Sequence, residues 1–249
     1  MTSAPRSEPP PATKHFRLYQ DTVWRVVEAQ HRISTNRLAA NAEDQALLEQ
    51  LVEEVKPPLP SSVRGLHFLL ATPFRYGHRR ASRFRRAADR PGIFYASEHL
   101  ATAVAEAAWW RLHFLSRSPQ ARPPSATIEH TAFKVPIKAA RSLDLTQPPF
   151  AKSAASWMAP SDYTACQRFA TAAREIKTQL IRYRSVRDLE HRPNIALLDP
   201  GAFASGTPKI VQTWHFRIEP DRLTVFAAFP GRERYTFLRQ PTDPPADER

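Results

Sequence analysis

Hydrophobic positions change their spacing several times along the chain, and each change predicts an element. Residues 22–29 (TVWRVVEA) concentrate β-branched and aromatic side chains as a strand does. Asn41 then offers a helix cap. In the following AEDQALLEQLVEEV, Leu47, Leu48, Leu51, Val52 and Val55 share one helical face, and Glu43 and Asp44 suit the N-terminal dipole. Pro57 and Pro58 end that helix, since a proline ring removes a donor and clashes with the preceding turn. A short apolar run spans 66–70. Gly92-Ile93-Phe94-Tyr95-Ala96 reads as a short strand, and Ser97 or His99 leads into a helix striped by Leu100, Ala103, Val104, Ala107, Ala108 and Leu115.

Strand-like segments return at 128–137 and 141–145. Ser161-Asp162 caps a further helix over about residues 163–176. The last third reads as strands at 179–186, 194–198, 210–218, 223–229 and 235–238. Within IVQTWHFRI, alternation puts Ile210, Gln212, Trp214, Phe216 and Ile218 on one largely apolar side. Helices interspersed early and strands clustered late predict an α+β fold with a mixed or antiparallel sheet.

The ends differ from this pattern. Residues 1–14 (MTSAPRSEPPPATK) and 240–249 (QPTDPPADER) are proline-rich and polar without apolar periodicity, so both are expected to be disordered tails around one domain at 15–239. Prolines stand where a secretory signal would need apolar residues, and no run of about 18 apolar residues occurs to cross a membrane. Cys166 is the only cysteine, which leaves no internal disulfide and no Cys-based zinc site. A cytoplasmic location is the expectation. The net charge of +12 changes the picture more, because it is uneven: Arg75, Arg79, Arg80, Arg83, Arg85, Arg86 and Arg90 crowd one segment with only Asp89 opposing them. Such a cluster is a solvated basic face, an anion site or a docking face for an acidic partner.

Six glycines form neither G-x-G-x-x-G nor G-x-x-x-x-G-K-[ST], so a bound phosphate would fall to arginine forks. The nine histidines are scattered without metal-ligand spacing, and no metal is expected. No G-x-S-x-G elbow supports a serine hydrolase.

Four ordered pieces carry a more specific signal: Trp24-Arg25-Val26-Val27; Ser82-Arg83-Phe84 with Pro91-Gly92-Ile93-Phe94-Tyr95-Ala96-Ser97; Ala103-Val104-Ala105-Glu106-Ala107-Ala108; and Tyr183-Arg184-Ser185-Val186-Arg187-Asp188 with Pro193-Asn194-Ile195-Ala196-Leu197. In order, spacing and local chemistry the set resembles the RES-domain family from about residue 16 to 200. One departure is Ala81-Ser82-Arg83-Phe84, where the family often has Gly-Gly-Arg-Trp. The β-rich run from Gly201 onward is less diagnostic and reads as a C-terminal extension. The resemblance implies a fold related to the ADP-ribosyltransferase toxins, NAD as a substrate consumed in a cleft, and no cofactor besides, with inorganic phosphate or water as acceptor. It further implies a toxin held inactive by a DNA-binding antitoxin of the Xre type.

Breaking the nicotinamide–ribose bond builds positive charge on the sugar, and a nearby carboxylate stabilises it. Glu106 is the candidate: it either lies on the solvent face of its helix or serves this chemistry, and the resemblance selects the second. For Arg25, alternation points it away from Trp24 and Val26, either outward or, as the resemblance implies, at the pyrophosphate or nicotinamide ribose of NAD. Arg83 would be a second phosphate ligand or one more member of the basic face. Tyr95 offers a ring to stack on nicotinamide or a half-buried core position. Ser185 would hydrogen-bond the substrate or serve a turn; no histidine base marks it as a nucleophile. Two rivals remain. ADP-ribose transfer to a protein side chain uses the same residues. Nucleic-acid binding follows from charge alone and is disfavoured, because no zinc module, helix-turn-helix or basic segment with interleaved aromatics accompanies it.

Overall fold

The computed structural model describes residues 8–29, 41–76, 80–117 and 126–238. Eight strands, β1 (Arg17–Glu28), β2 (Phe94–Ser97), β3 (Ile128–Asp144), β4 (Leu180–Arg184), β5 (Pro193–Leu197), β6 (Lys209–Ile218), β7 (Arg222–Ala227) and β8 (Arg234–Leu238), form one sheet. Among the described residues five α-helices accompany it: α1 (Ala42–Glu54), α2 (Phe68–Arg75), α3 (Leu100–Ser116), α4 (Ala154–Trp157) and α5 (Thr164–Glu175). The strand order is β1-β2-β5-β4-β3-β6-β7-β8, and β1 also pairs with β3, so the first five strands of that order close into a ring. All pairings are antiparallel except β3–β4. The chain is thus α+β, with a mixed sheet whose core is a small barrel.

Closure sorts the hydrophobic residues into three groups. Val23, Phe94, Phe133, Val135, Leu180, Ile195 and Leu197 come from all five ring strands yet form one cluster with Leu70 and Phe74 of α2, which only the inward face permits. On the outside, α5 packs Phe169, Ala170 and Ala173 over Ile181, Tyr183 and Ala196. Elsewhere on the outside, α3 packs Ala103, Val104 and Ala108 over Val26, Ala132, Trp214, Phe216 and Val225. Burying each such large side chain contributes roughly 1.5–3 kcal/mol.

Several predicted elements extend or merge. The segments expected at 128–137 and 141–145 are one strand, β3, which pairs along nearly its whole length with β1 and continues past Pro136. The apolar run at 66–70 opens a helix, α2, whose sequence pattern is interrupted by Pro73. A side chain at Gly92 would collide with the Pro73 carbonyl, so this glycine allows α2 to close over the start of β2. Asn41 caps α1 by accepting from Asp44 N at 2.8 Å, but Leu47, Leu51 and Val55 of its apolar stripe face solvent. The N-cap of α5 is Tyr163 and not the expected Ser161-Asp162; Asp162, one residue before it, accepts from Thr164 N at 2.9 Å. Of the expected tails, residues 1–7 and 239–249 lie outside the described residues; Glu8 is placed, in an ion pair with Arg168 of α5. No described helix is long and apolar enough to cross a membrane.

Candidate active site

Thr102, Glu106, Trp109 and His113 follow at helical spacing, so α3 presents them along one face. The chain leaving β4 turns back against that face. In this turn Ser185 Oγ accepts from both Arg187 N and Asp188 N at 3.1 Å, which leaves its single hydrogen for Glu106 Oε1 at 2.7 Å. Asn194 of β5 is oriented in the same manner. Its Oδ1 accepts from Ser97 Oγ at 2.6 Å, turning Nδ2 toward the same Glu106 Oε1, also at 2.6 Å. Ser97, Asn194 and Tyr183 stand opposite one another on β2, β5 and β4. One carboxylate oxygen is therefore clamped by two donors of fixed polarity. The other takes no hydrogen bond from the described residues and is not sealed from solvent.

The turn itself is pinned by Asp188, which accepts from Thr102 Oγ1 at 2.7 Å and from Arg192 through Nε at 2.7 Å and Nη2 at 3.0 Å. Burial pushes this carboxyl up, but the Arg192 and Thr102 bonds and the Glu190 amide outweigh it and bring the pKa down to about 2. His191 donates from Nδ1 to the Ser185 carbonyl at 2.8 Å. Helix and turn are thus joined twice, at Thr102–Asp188 and one helical turn later at Glu106–Ser185.

Cations and rings surround the free side. Arg187 lies 3.6 Å over the Trp109 ring, whose stacking partner within α3 is His113 at 4.7 Å. It donates from Nη2 to the Pro160 carbonyl at 2.6 Å. Arg83, almost fully buried, donates from Nη1 to the carbonyls of Trp157 (2.8 Å) and Ala159 (3.0 Å) and covers the Tyr163 ring at 4.8 Å. The Tyr95 hydroxyl accepts from Phe84 N at 3.1 Å and meets Ser82 Oγ at 2.9 Å, and burial raises its pKa. Tyr183 lies beneath, its phenol pushed well above the usual range by burial and by the Glu106 charge.

Arg25 is differently placed. Its register partner on β3 is Phe133 and its guanidinium covers the Phe94 ring at 4.8 Å, both on the inward face of the barrel. Nη1 is buried without a hydrogen-bond partner, and desolvation alone lowers the pKa to about 10. Glu106, bonded to Ser185 and Asn194, belongs to the outward face. Beside Arg25, β1 and β2 share a single register pair, Trp24 with Ser97.

A family model described as the RES domain matches residues 59–219. The chain belongs to the RES-domain family. No curated protein matches it. Among solved structures, the crystal structure of the M. tuberculosis MbcT–MbcA toxin–antitoxin complex is similar at 13% identity, covering 78% of this chain and 83% of that chain with a TM-score of 0.43.

In this RES-domain protein the predicted site residues fall into two sets. Glu106 and Ser185 are in contact; Arg83 and Tyr95 stand at the rim of the same outward site, linked through Ser82 to Phe84; Arg25 does not share their face of the sheet. The matched family segment begins after β1 and so leaves Arg25 out. Asn194, Arg187 and Trp109 complete the arrangement although sequence reasoning gave them no role. Asn194 and Arg187 lie in quoted motifs, and Trp109 was legible only as the residue one helical turn beyond Glu106. The basic segment resolves into local structure: Arg75 Nε donates to the Pro57 carbonyl, and Arg85 donates to the carbonyls of Arg86 and Arg80. Arg79 lies outside the described residues. Among the described residues no group of three or more His, Cys, Asp or Glu could hold a metal ion. A cavity of about 240 Å³ beside the outer side of α3 is lined by Val26, Glu28, Ala107, Trp110, Arg111, Phe114 and His130, none of them a predicted site residue.

Proposed function

We propose that this RES-domain protein is a toxin that cleaves NAD at the nicotinamide–ribose bond, with phosphate or water as acceptor. The observation that carries the reading is the Glu106 carboxylate, with one oxygen gripped by Ser185 and Asn194 and the other open. An oxocarbenium-like sugar needs a fixed negative charge that does not reorganise as positive charge develops. A carboxylate held by donors whose own polarity is dictated elsewhere meets that need. Ser185 acts as an orienting donor, since its hydrogen is already committed to Glu106. Tyr95 and Arg83 would border the bound dinucleotide, and Arg25 would contact the nicotinamide ribose where β1 and β2 part. NAD enters as substrate and is consumed; no resident cofactor or metal takes part in the scheme.

The same reading includes a relation to the ADP-ribosyltransferase fold, a cytoplasmic location and neutralisation by a DNA-binding antitoxin of the Xre type, to which the basic rim would offer an acidic segment a docking face. The arginines bound to main-chain carbonyls argue for a structural share in that rim and against a free nucleic-acid stripe. Purified protein incubated with NAD, with and without phosphate, is expected to release nicotinamide. Intact NAD in both conditions would overturn the proposal. Label from NAD recovered on protein instead of small products would reassign the chemistry to ADP-ribose transfer.

A further inference from the structure

Two guanidinium groups stand side by side near Glu106 without a direct ion pair among the described residues. Arg83 and Arg187 are anchored by consecutive carbonyls, Ala159 and Pro160, in the segment between α4 and α5. Tyr163 lies between them, its ring under Arg83 at 4.8 Å and its hydroxyl 3.5 Å from Arg187 Nη2. Neither arginine forms an ion pair among the described residues. The neighbouring carboxylates do not reach them as ion pairs: Asp162 accepts the first amide of α5, and Glu106, whose charge acts on Arg187 from a longer distance, is held through one oxygen by Ser185 and Asn194. Two like charges drawn together and partly desolvated are costly unless an anion joins them. Their donors are not exhausted. Arg187 uses only Nη2, and its Nε and Nη1 remain unbonded and open to solvent. The flat face of Arg187 is fixed on Trp109, which orients those donors edge-on.

We infer that Arg83 and Arg187 form a paired-guanidinium subsite for the diphosphate of a nucleotide substrate, with Arg187 the member that clasps it. The inference deepens the NAD-cleavage reading and rests on it for the identity of the substrate, while the anion site itself stands on the arginine pair. Placed here, a diphosphate lies on the same side of the sheet as Glu106, so the attached ribose can reach the open carboxylate oxygen.

ADP is the probe, titrated by calorimetry at low salt into the full chain. Wild type is expected to bind, and Arg187→Gln to weaken ADP by about tenfold to a hundredfold. Arg187→Lys should recover only part of that loss, because an ammonium lacks the planar fork. The exposed neighbour Arg90→Gln should bind as wild type does. Equal ADP affinity in a folded Arg187→Gln, checked by circular dichroism, would overturn the inference; so would a single-stranded oligonucleotide that binds as tightly as ADP and is displaced by it. Nicotinamide release measured on the same preparations separates the two readings. ADP binding that depends on Arg187 without any release keeps the subsite and sinks cleavage, whereas release with Arg187-independent ADP binding sinks the subsite alone.

Discussion

Glu106 of α3 and Arg25 of β1 are charged side chains set against opposite faces of the same sheet, and they are treated in opposite ways. Glu106 has every neighbour arranged for it: two donors on one oxygen, each donor held in turn by further bonds to Ser97, Arg187 and Asp188. Arg25 has a buried Nη1 with no partner and two phenylalanines for company. The first arrangement is preorganisation, in which the fold itself satisfies the charge and leaves one atom free for chemistry. The second is an unsatisfied cation on the inner face of a barrel, a cost of the sort that functional sites retain. One charge is held ready by the protein; the other awaits something the protein does not supply.

The severest test of this contrast removes the prepared charge. Glu106→Gln keeps the shape and one acceptor oxygen but loses the carboxylate, and nicotinamide release is expected to fall on the order of a hundredfold to a thousandfold. Its melting temperature should stay close to wild type, as the clamped oxygen remains bonded. Wild-type turnover in this variant would remove Glu106 from the mechanism. Next in size are the donors. Ser185→Ala and Asn194→Ala should each lower turnover by about tenfold or more, and the double variant by less than the product of the two, because both act on one oxygen. Multiplicative losses would mean that they act separately. Ser185→Ala should also cost stability, about 1–3 kcal/mol, because two turn amides lose their acceptor; chemical denaturation reads that directly.

How much of this arrangement the sequence displayed depends on the range of each interaction. Helix α3 was legible because its apolar stripe has the helical period and Glu106 interrupts it. The alternation around Arg25 correctly opposed it to Trp24 and Val26, but alternation does not say which side of a strand becomes the inside of a barrel. That follows from β1 pairing with both β2 and β3, a closure that no local pattern encodes. Asn194 is 88 positions from the carboxylate it orients, and Arg187 reaches Pro160 across 27, so neither pairing has a local signature. The apolar run at 66–70 gave no helical period from which to read α2, and the strand expected at 128–137 and again at 141–145 runs through Lys138, Ala139 and Ala140 without a break.

The other half of the comparison is tested by relieving the unsatisfied cation. Arg25→Met replaces the guanidinium with a flexible apolar chain among Phe94 and Phe133. It is expected to raise unfolding free energy by about 1–3 kcal/mol, the usual cost of a buried polar group left unbonded. The same variant should show a higher KM for NAD with kcat less affected, as a substrate contact away from the carboxylate would. A destabilised Arg25→Met would mean that the guanidinium already has an internal role, and the contrast with Glu106 would vanish.

The smallest expected effect concerns the lock behind the prepared charge and appears only in acid. The Asp188 carboxyl has a folded pKa of about 2 against an ordinary 3.8, so its contribution is present above about pH 4 and fades as pH falls toward 2. His130 titrates elsewhere on the scale. Stacked on Phe216 at 3.7 Å, it is lowered to about 4 from 6.5 chiefly by burial, so the unfolded chain takes up a proton first and stability declines as pH falls from about 6.5 to 4. The two windows barely overlap, which lets denaturation across pH assign each loss to its residue. His130→Phe should flatten the upper limb and leave the lower one, and Asp188→Asn should do the reverse. Turnover should follow only the second variant, because Asp188 pins the turn that carries Ser185, while His130 sits behind α3 with no bond to Glu106.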